Sequence, residues 1–235
     1  MMIKPYRNKF QILQREKLYT LLSQKLGLNN NNMENYTHLA ENIIEIYTKH
    51  ARAWTELRGE FLYEKAWLDR FLTLIPAHSH ILDLGCGSAK PIAAYLIEQA
   101  NTVTGVDSSD VMIEMAQQNF PDHTWILADM RTVNLDRKFD AILAWDSFFH
   151  LTPQHQRDMF EIFNQYTKAG AALMFTSGPS QGEAVGEMFG DALYHGSLSS
   201  AEYYELFKKY NFEVIKMIAE DRDCTGHTVW LAKRI

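Results

Sequence analysis

The spacing of apolar residues changes character along the 235-residue chain. At 10–26, Phe10, Leu13, Leu18, Leu21, Leu22 and Leu26 recur at a rough helical period, and Gly27 with the asparagine run at 29–32 ends it. Residues 37–75 again predict helix. Leu39, Ile43, Ile46 and Tyr47 share one face, the pattern resumes from Phe61 to Ile75 after a break at Gly59, and Pro76 closes it. From residue 80 short β-rich runs alternate with amphipathic stretches. The runs predict strands at 80–84, 102–106, 124–128, 139–145 and 171–177, with helices near 90–100, 109–119 and 154–168. Strand, helix, strand in succession argues for a parallel sheet covered on both faces by right-handed crossovers. The end differs: a helix at 199–209 leads to a strand at 212–219, a polar turn at 220–226 and a strand at 227–233. Strands joined by so short a connection run antiparallel, which is not the usual NAD-binding arrangement. The polar, glycine-rich connection at 178–198 reads either as a segment over the mouth of a site at the sheet's edge, where specificity would be set, or as a surface loop.

This division predicts an N-terminal extension at 1–32 and one unit at 33–235, with a helical cap at 33–76 and an α/β core at 77–235. Two readings of the extension stand, a dispensable tail and a lid or dimerisation arm. A hydrophobic content of 46% suffices for one well-buried core. The net charge of −6 argues against nucleic acid as the main partner, because phosphate backbones call for clustered Lys and Arg. Cys86 and Cys224 cannot make a disulfide framework, so a reduced, cytoplasmic setting is expected. No apolar run approaches a membrane span, and no apolar stretch follows Lys4, Arg7 and Lys9 as a secretory signal requires.

The candidate chemistry begins at residues 81–89, Ile-Leu-Asp-Leu-Gly-Cys-Gly-Ser-Ala, where an apolar strand runs into a glycine turn. Such a turn lets backbone N–H groups approach a ligand closely at a helix N-terminus. The next strand ends in Asp107, twenty positions after Gly87, where a carboxylate suits two ribose hydroxyls. A third strand ends at Asp129. Alone, each also reads as an ordinary turn or cap residue. Together they fit one crevice at the carboxyl edge of a sheet. A dehydrogenase fingerprint would need glycine at position 90, which is Lys90.

With Asp83-Leu84-Gly85-Cys86-Gly87, Gly105-Val106-Asp107-Ser108, Ala128-Asp129-Met130 and Phe139-Asp140 leading into Ala144-Trp145-Asp146, residues 37–235 resemble the class I S-adenosylmethionine-dependent methyltransferases. Phe148-Phe149-His150-Leu151 and Gly170-Ala171-Ala172-Leu173 complete the set. The resemblance implies a doubly wound, seven-stranded, mostly parallel sheet whose last strand is antiparallel, with the N-terminal helices as a cap. It implies S-adenosylmethionine as methyl donor, contacted by Asp83, Gly85, Cys86, Gly87, Asp107, Ser108, Asp129, Met130 and Trp145. The methionine part would lie along Asp83, Gly85 and Gly87, the ribose on Asp107, and the adenine between Asp129 and the Met130 backbone, with Trp145 closing the sulfonium side. The family often has glycine where this chain has Ala89.

Arg58 is a candidate for the donor's carboxylate, since a guanidinium fork suits it, with Tyr47 and Trp54 beside it on the cap; it reads also as a solvated arginine on a polar helix face. His150, Tyr194 and His195 are the candidate catalytic residues. His150 reads equally well as a structural histidine behind Trp145, because methyl transfer needs a base only when the acceptor arrives protonated. His227 stands near Asp221, Asp223 and Cys224 without a standard zinc spacing, so no metal is expected. The expectation is methyl transfer to a small-molecule acceptor, with no nucleic acid or membrane partner. The alternatives are a protein or RNA methyltransferase and a non-catalytic S-adenosylmethionine-binding module.

Overall fold

The computed structural model describes residues 36–235. The extension expected at 1–32, its helical period at 10–26 and the first residues of the expected cap lie outside the described residues. A short helix α1 (Thr37–Glu41) precedes α2 (Ile43–Arg58), which stops where Gly59 takes φ 60°. After α3 (Lys65–Leu72) come β1 (His80–Leu84), α4 (Ile92–Glu98), β2 (Thr102–Asp107), α5 (Asp110–Asn119), β3 (Thr124–Leu127), β4 (Phe139–Ala144) and α6 (Pro153–Tyr166). The chain then runs through β5 (Thr167–Ser177), β6 (Gly182–Met188), β7 (Asp191–Ser197), α7 (Ser200–Lys209), β8 (Phe212–Asp221) and β9 (His227–Arg234). Local chemistry starts the helices. Ser109 Oγ accepts from Met112 N–H, Thr152 Oγ1 from His155 N–H with Pro153 in the first turn, and Ser199 Oγ from Glu202 N–H.

The main sheet has seven strands in the order β3-β2-β1-β4-β5-β9-β8. β1 pairs in parallel with β2 and β4, and β9 lies antiparallel between β5 and β8, as the closing hairpin predicts. Alternate residues of the buried strands face opposite sides. Ile81, Val103, Ala141 and Leu143 pack with Trp67, Leu68 and Phe71 of α3 and with α4 and α5. Leu82, Leu84, Ile142 and Phe175 pack on the other side with Phe160 and Phe163 of α6 and Phe207 of α7. Asp83 stands on the first face at a position where the strand pattern calls for an apolar residue.

Two expectations are corrected. The helix read to 168 ends at Tyr166 and passes directly into β5, four residues earlier than the strand read from 171. The segment 178–198 is not an irregular loop; it holds the hairpin β6–β7, turned at Phe189 (φ 51°) and Gly190 (φ 93°). Its glycine-rich, polar strands hide the alternation. Met188 and Leu193 pack on Ile46 of α2, and Asp191 meets Lys49 Nζ (2.7 Å) and His50 Nε2 (2.6 Å). Cap and hairpin therefore form one wall. Among the described residues no helix is long and apolar enough to cross a membrane.

Candidate active site

A cavity opens at the carboxyl ends of β1, β2 and β4, under α2. The turn after β1 is tied to the next strand: Gly85 and Cys86 N–H both donate to the Val106 carbonyl (2.7 and 3.1 Å). Gly85 has φ 80°, and a Cβ there would lie 2.3 Å from Ser147 Cβ, so the loops after β1 and β4 touch only because this residue is glycine. Ser147 Oγ closes the contact by donating to the Leu84 carbonyl (2.7 Å). Ala89 takes φ 66°, a left-handed conformation that explains why glycine suits this position.

Asp107 is anchored from both sides. Gly87 N–H donates to Oδ2 and Ser109 N–H to Oδ1, each at 2.9 Å. Burial raises its pKa, and these hydrogen bonds oppose the rise. Each oxygen keeps acceptor capacity. Burial, reinforced by the Asp107 charge, lifts Asp83 to about 7. The Cys86 thiol is pushed well above its ordinary value by burial, which removes it as a nucleophile.

Asp129 is pushed up by burial and pulled down further by Arg131, which donates through Nε to both carboxylate oxygens (3.0 and 2.9 Å) and through its backbone N–H (2.8 Å). The Arg131 head also lies 3.3 Å from His155 Nδ1.

Ile43, Ile44, Tyr47 and Trp54 of α2 roof the cavity. His150 ends a 3-10 turn, Phe148–His150, which the buried Phe148 pins against Phe175 at 4.6 Å between ring centres. The Tyr194 carbonyl can only accept, so His150 Nδ1 carries the proton and donates to it (2.7 Å). Nε2 then accepts from the Tyr47 hydroxyl (2.9 Å). Burial drops the His150 pKa to about 3, in keeping with this neutral ring.

All ten residues assigned to the cofactor by sequence line this one cavity: Arg58, Asp83, Gly85, Cys86, Gly87, Asp107, Ser108, Asp129, Met130 and Trp145. His150 lines it too. Tyr194 and His195 do not. The Tyr194 side chain is fully buried with its hydroxyl donating to Glu183 Oε1 (2.5 Å), and His195 packs behind His150 at 4.9 Å. Arg58 is already engaged, donating to the Phe61 carbonyl (2.9 Å) and to Glu64 Oε1. Glu64 carried no recognisable signal in the sequence. Asp146, with φ 50° and its carboxylate 2.8 Å from His227 Nε2, also lines the cavity. Only its place directly after β4 hinted at it.

The cavity suits S-adenosylmethionine. It offers a doubly anchored carboxylate at the end of β2 and a buried Trp145 Nε1 donor without a partner among the described residues. No group of His, Cys, Asp and Glu among the described residues is arranged to hold a metal ion.

A doubly wound sheet with a glycine turn and carboxylates at successive strand ends is the arrangement of many nucleoside-binding α/β proteins. Residues 81–170 match a family model described as a methyltransferase domain. Over 123 residues the chain is 33% identical to the putative methyltransferase YqeM of Bacillus subtilis, covering 50% of this chain and 48% of that protein. Over 87 residues it is 37% identical to the trans-aconitate 2-methyltransferase of Escherichia coli O1:K1, covering 36% of this chain and 32% of that protein. The match thus spans about half or less of these curated relatives. A solved S-adenosylmethionine-dependent methyltransferase from Clostridium acetobutylicum shares the fold, with a TM-score of 0.62 at 14% identity over 83% of this chain and 98% of that one. The methyltransferase-domain match over residues 81–170 and the shared fold are consistent with the class I S-adenosylmethionine-dependent methyltransferase family.

Proposed function

We propose that the chain transfers a methyl group from S-adenosylmethionine to a small-molecule acceptor. The observation that carries this reading is the convergence of the glycine turn, Asp107, Asp129 and Trp145 on one cavity roofed by α2. Asp107 would accept from the ribose hydroxyls, its orientation fixed beforehand by the Gly87 and Ser109 N–H groups. Asp129, clamped by Arg131, and the Met130 backbone would bracket the adenine. Arg58 and Trp145 Nε1 would face the methionine end.

When bound, the donor supplies an electrophilic methyl group on its sulfonium. The chain's own contribution is alignment and exclusion of water. Both nitrogens of His150 are engaged, so its part is to hold the Tyr47 hydroxyl at the cavity wall rather than to take a proton. Tyr194 and His195 act through this arrangement, as packing behind His150. The small-molecule acceptor is supported by the α2 roof over the cavity, which the hairpin braces from behind, by the net charge of −6, and by the likeness to a trans-aconitate methyltransferase.

Calorimetry with S-adenosylhomocysteine tests the first half. Wild type should bind, and Asp107→Ala should weaken binding by about 10- to 100-fold, the loss of charge-assisted hydrogen bonds to a diol. No binding by wild type sinks the reading. Incubation with methyl-labelled donor and a cell extract tests the second half, and label confined to protein or RNA overturns the small-molecule acceptor.

A further inference from the structure

A buried polar group outside the strand-end machinery stands where the cap meets the sheet. Glu64 lies in the turn before α3, where its carbonyl accepts from Trp67 and Leu68 N–H (2.9 and 3.0 Å). Its side chain is fully buried. Oε1 accepts from Arg58, and Oε2 has no partner among the described residues. A carboxylate buried in that condition is costly and calls for an explanation.

Its surroundings supply one. The Arg58 guanidinium sits 4.3 Å over the Tyr63 ring, Tyr63 stacks on His227 with centroids 5.6 Å apart, and His227 lies 5.4 Å from the Trp145 ring. This column ties the cap turn to the ends of β4 and β9. On the cavity it presents a guanidinium, the unpartnered Trp145 indole N–H and the Asp146 carboxylate. A guanidinium has five N–H donors, and among the described residues Arg58 directs two of them to protein acceptors, Phe61 and Glu64. Cation and N–H donor beside a carboxylate complement a zwitterion. The Arg58 side chain is only 11% exposed, and Glu64 neutralises its charge where water cannot.

We infer that Glu64 is a positioning residue for the amino-acid tail of the methyl donor, fixing Arg58 on the Tyr63 ring so that its remaining N–H groups and Trp145 Nε1 meet the tail's carboxylate. The role rests on the methyl-donor reading above. A tail-specific comparison tests it: calorimetry with S-adenosylhomocysteine and with 5′-deoxy-5′-methylthioadenosine, which keeps the nucleoside and lacks the amino acid. Glu64→Ala should weaken the first by about 10-fold or more and the second by less than about 2-fold. Glu64→Gln, which keeps an acceptor oxygen for Arg58, should retain most of the affinity. Adding Glu64→Ala to Arg58→Ala should cost nothing beyond Arg58→Ala alone. Equal loss for both nucleosides, no loss, or additive losses overturn the role. If Glu64→Ala does not fold, Arg58→Ala decides by the same tail selectivity. Failure of wild type to bind either nucleoside removes the methyl-donor reading itself. Binding of both without tail selectivity in the variants removes only the role of Glu64.

Discussion

Replacing Asp83 with asparagine should change how stability responds to pH, by an amount that the site sets. Asp83 is the next-to-last residue of β1, with 4% exposure. Burial first, and then the Asp107 charge, lifts its pKa from 3.8 to about 7. Between those values the folded chain keeps a proton that the unfolded chain has released. The unfolded state therefore binds fewer protons, and stability falls as pH rises through the window, with the whole cost present above about 7. From pH 5 to pH 8 the loss comes to roughly 2–3 kcal/mol. Asparagine keeps the shape without the charge, so Asp83→Asn should gain on wild type by that amount over the same interval. In a domain of this size the gain corresponds to roughly 5–10 °C in Tm. His150 acts in the opposite sense. Its folded pKa of about 3 lies below the ordinary 6.5, so its contribution rises with pH up to about 6.5. It cancels when variant and wild type are compared. Urea unfolding of both proteins at pH 5, 6, 7 and 8 makes the measurement, and parallel curves would refute the reasoning, since Asp83 would then ionise like an ordinary surface carboxylate.

Two further perturbations probe packing and the His150 pair. Gly105→Ala places a Cβ 2.4 Å from the Trp125 ring and 2.7 Å from Cys86 Sγ, and that ring is held by its own hydrogen bond to the Phe120 carbonyl. Overpacking there should cost about 1–3 kcal/mol in thermal or urea unfolding, and an unchanged Tm counts against this description of the core. Tyr47→Phe leaves the buried His150 Nε2 without its donor and should cost about 1–3 kcal/mol while leaving S-adenosylhomocysteine affinity within about 2-fold. In wild type, nitrogen NMR should find the His150 ring neutral from pH 5 to 8 with the proton on Nδ1. Titration near 6.5 would show that the hydrogen-bond directions are otherwise.

The strand ends and the Gly85–Gly87 turn were legible in the chain because a βαβ unit is local. Gly87 and Asp107 lie twenty residues apart, and the register of β1 on β2 brings them within hydrogen-bond distance with little dependence on the rest of the fold. The antiparallel closure was legible for the same reason, since a short turn leaves two strands little choice. The hairpin at 178–198 was not, because Gly182, Gly186, Gly190 and Gly196 interrupt its alternation and its apolar residues make sense only against Ile46 of α2. Nor were the partners of the candidate site residues. Tyr47 meets His150 across 103 positions, and Asp146 meets His227 across 81. By itself, then, the chain determined which strand ends and which turn meet at the cavity, through periodicity and turn chemistry that act over a few residues. Only the tertiary structure decided that His150 is held between Tyr47 and the Tyr194 carbonyl, that Tyr194 faces Glu183, and that Arg58 is held by Glu64. Those outcomes depend on which side chains are buried together, and burial is a property of the packed molecule.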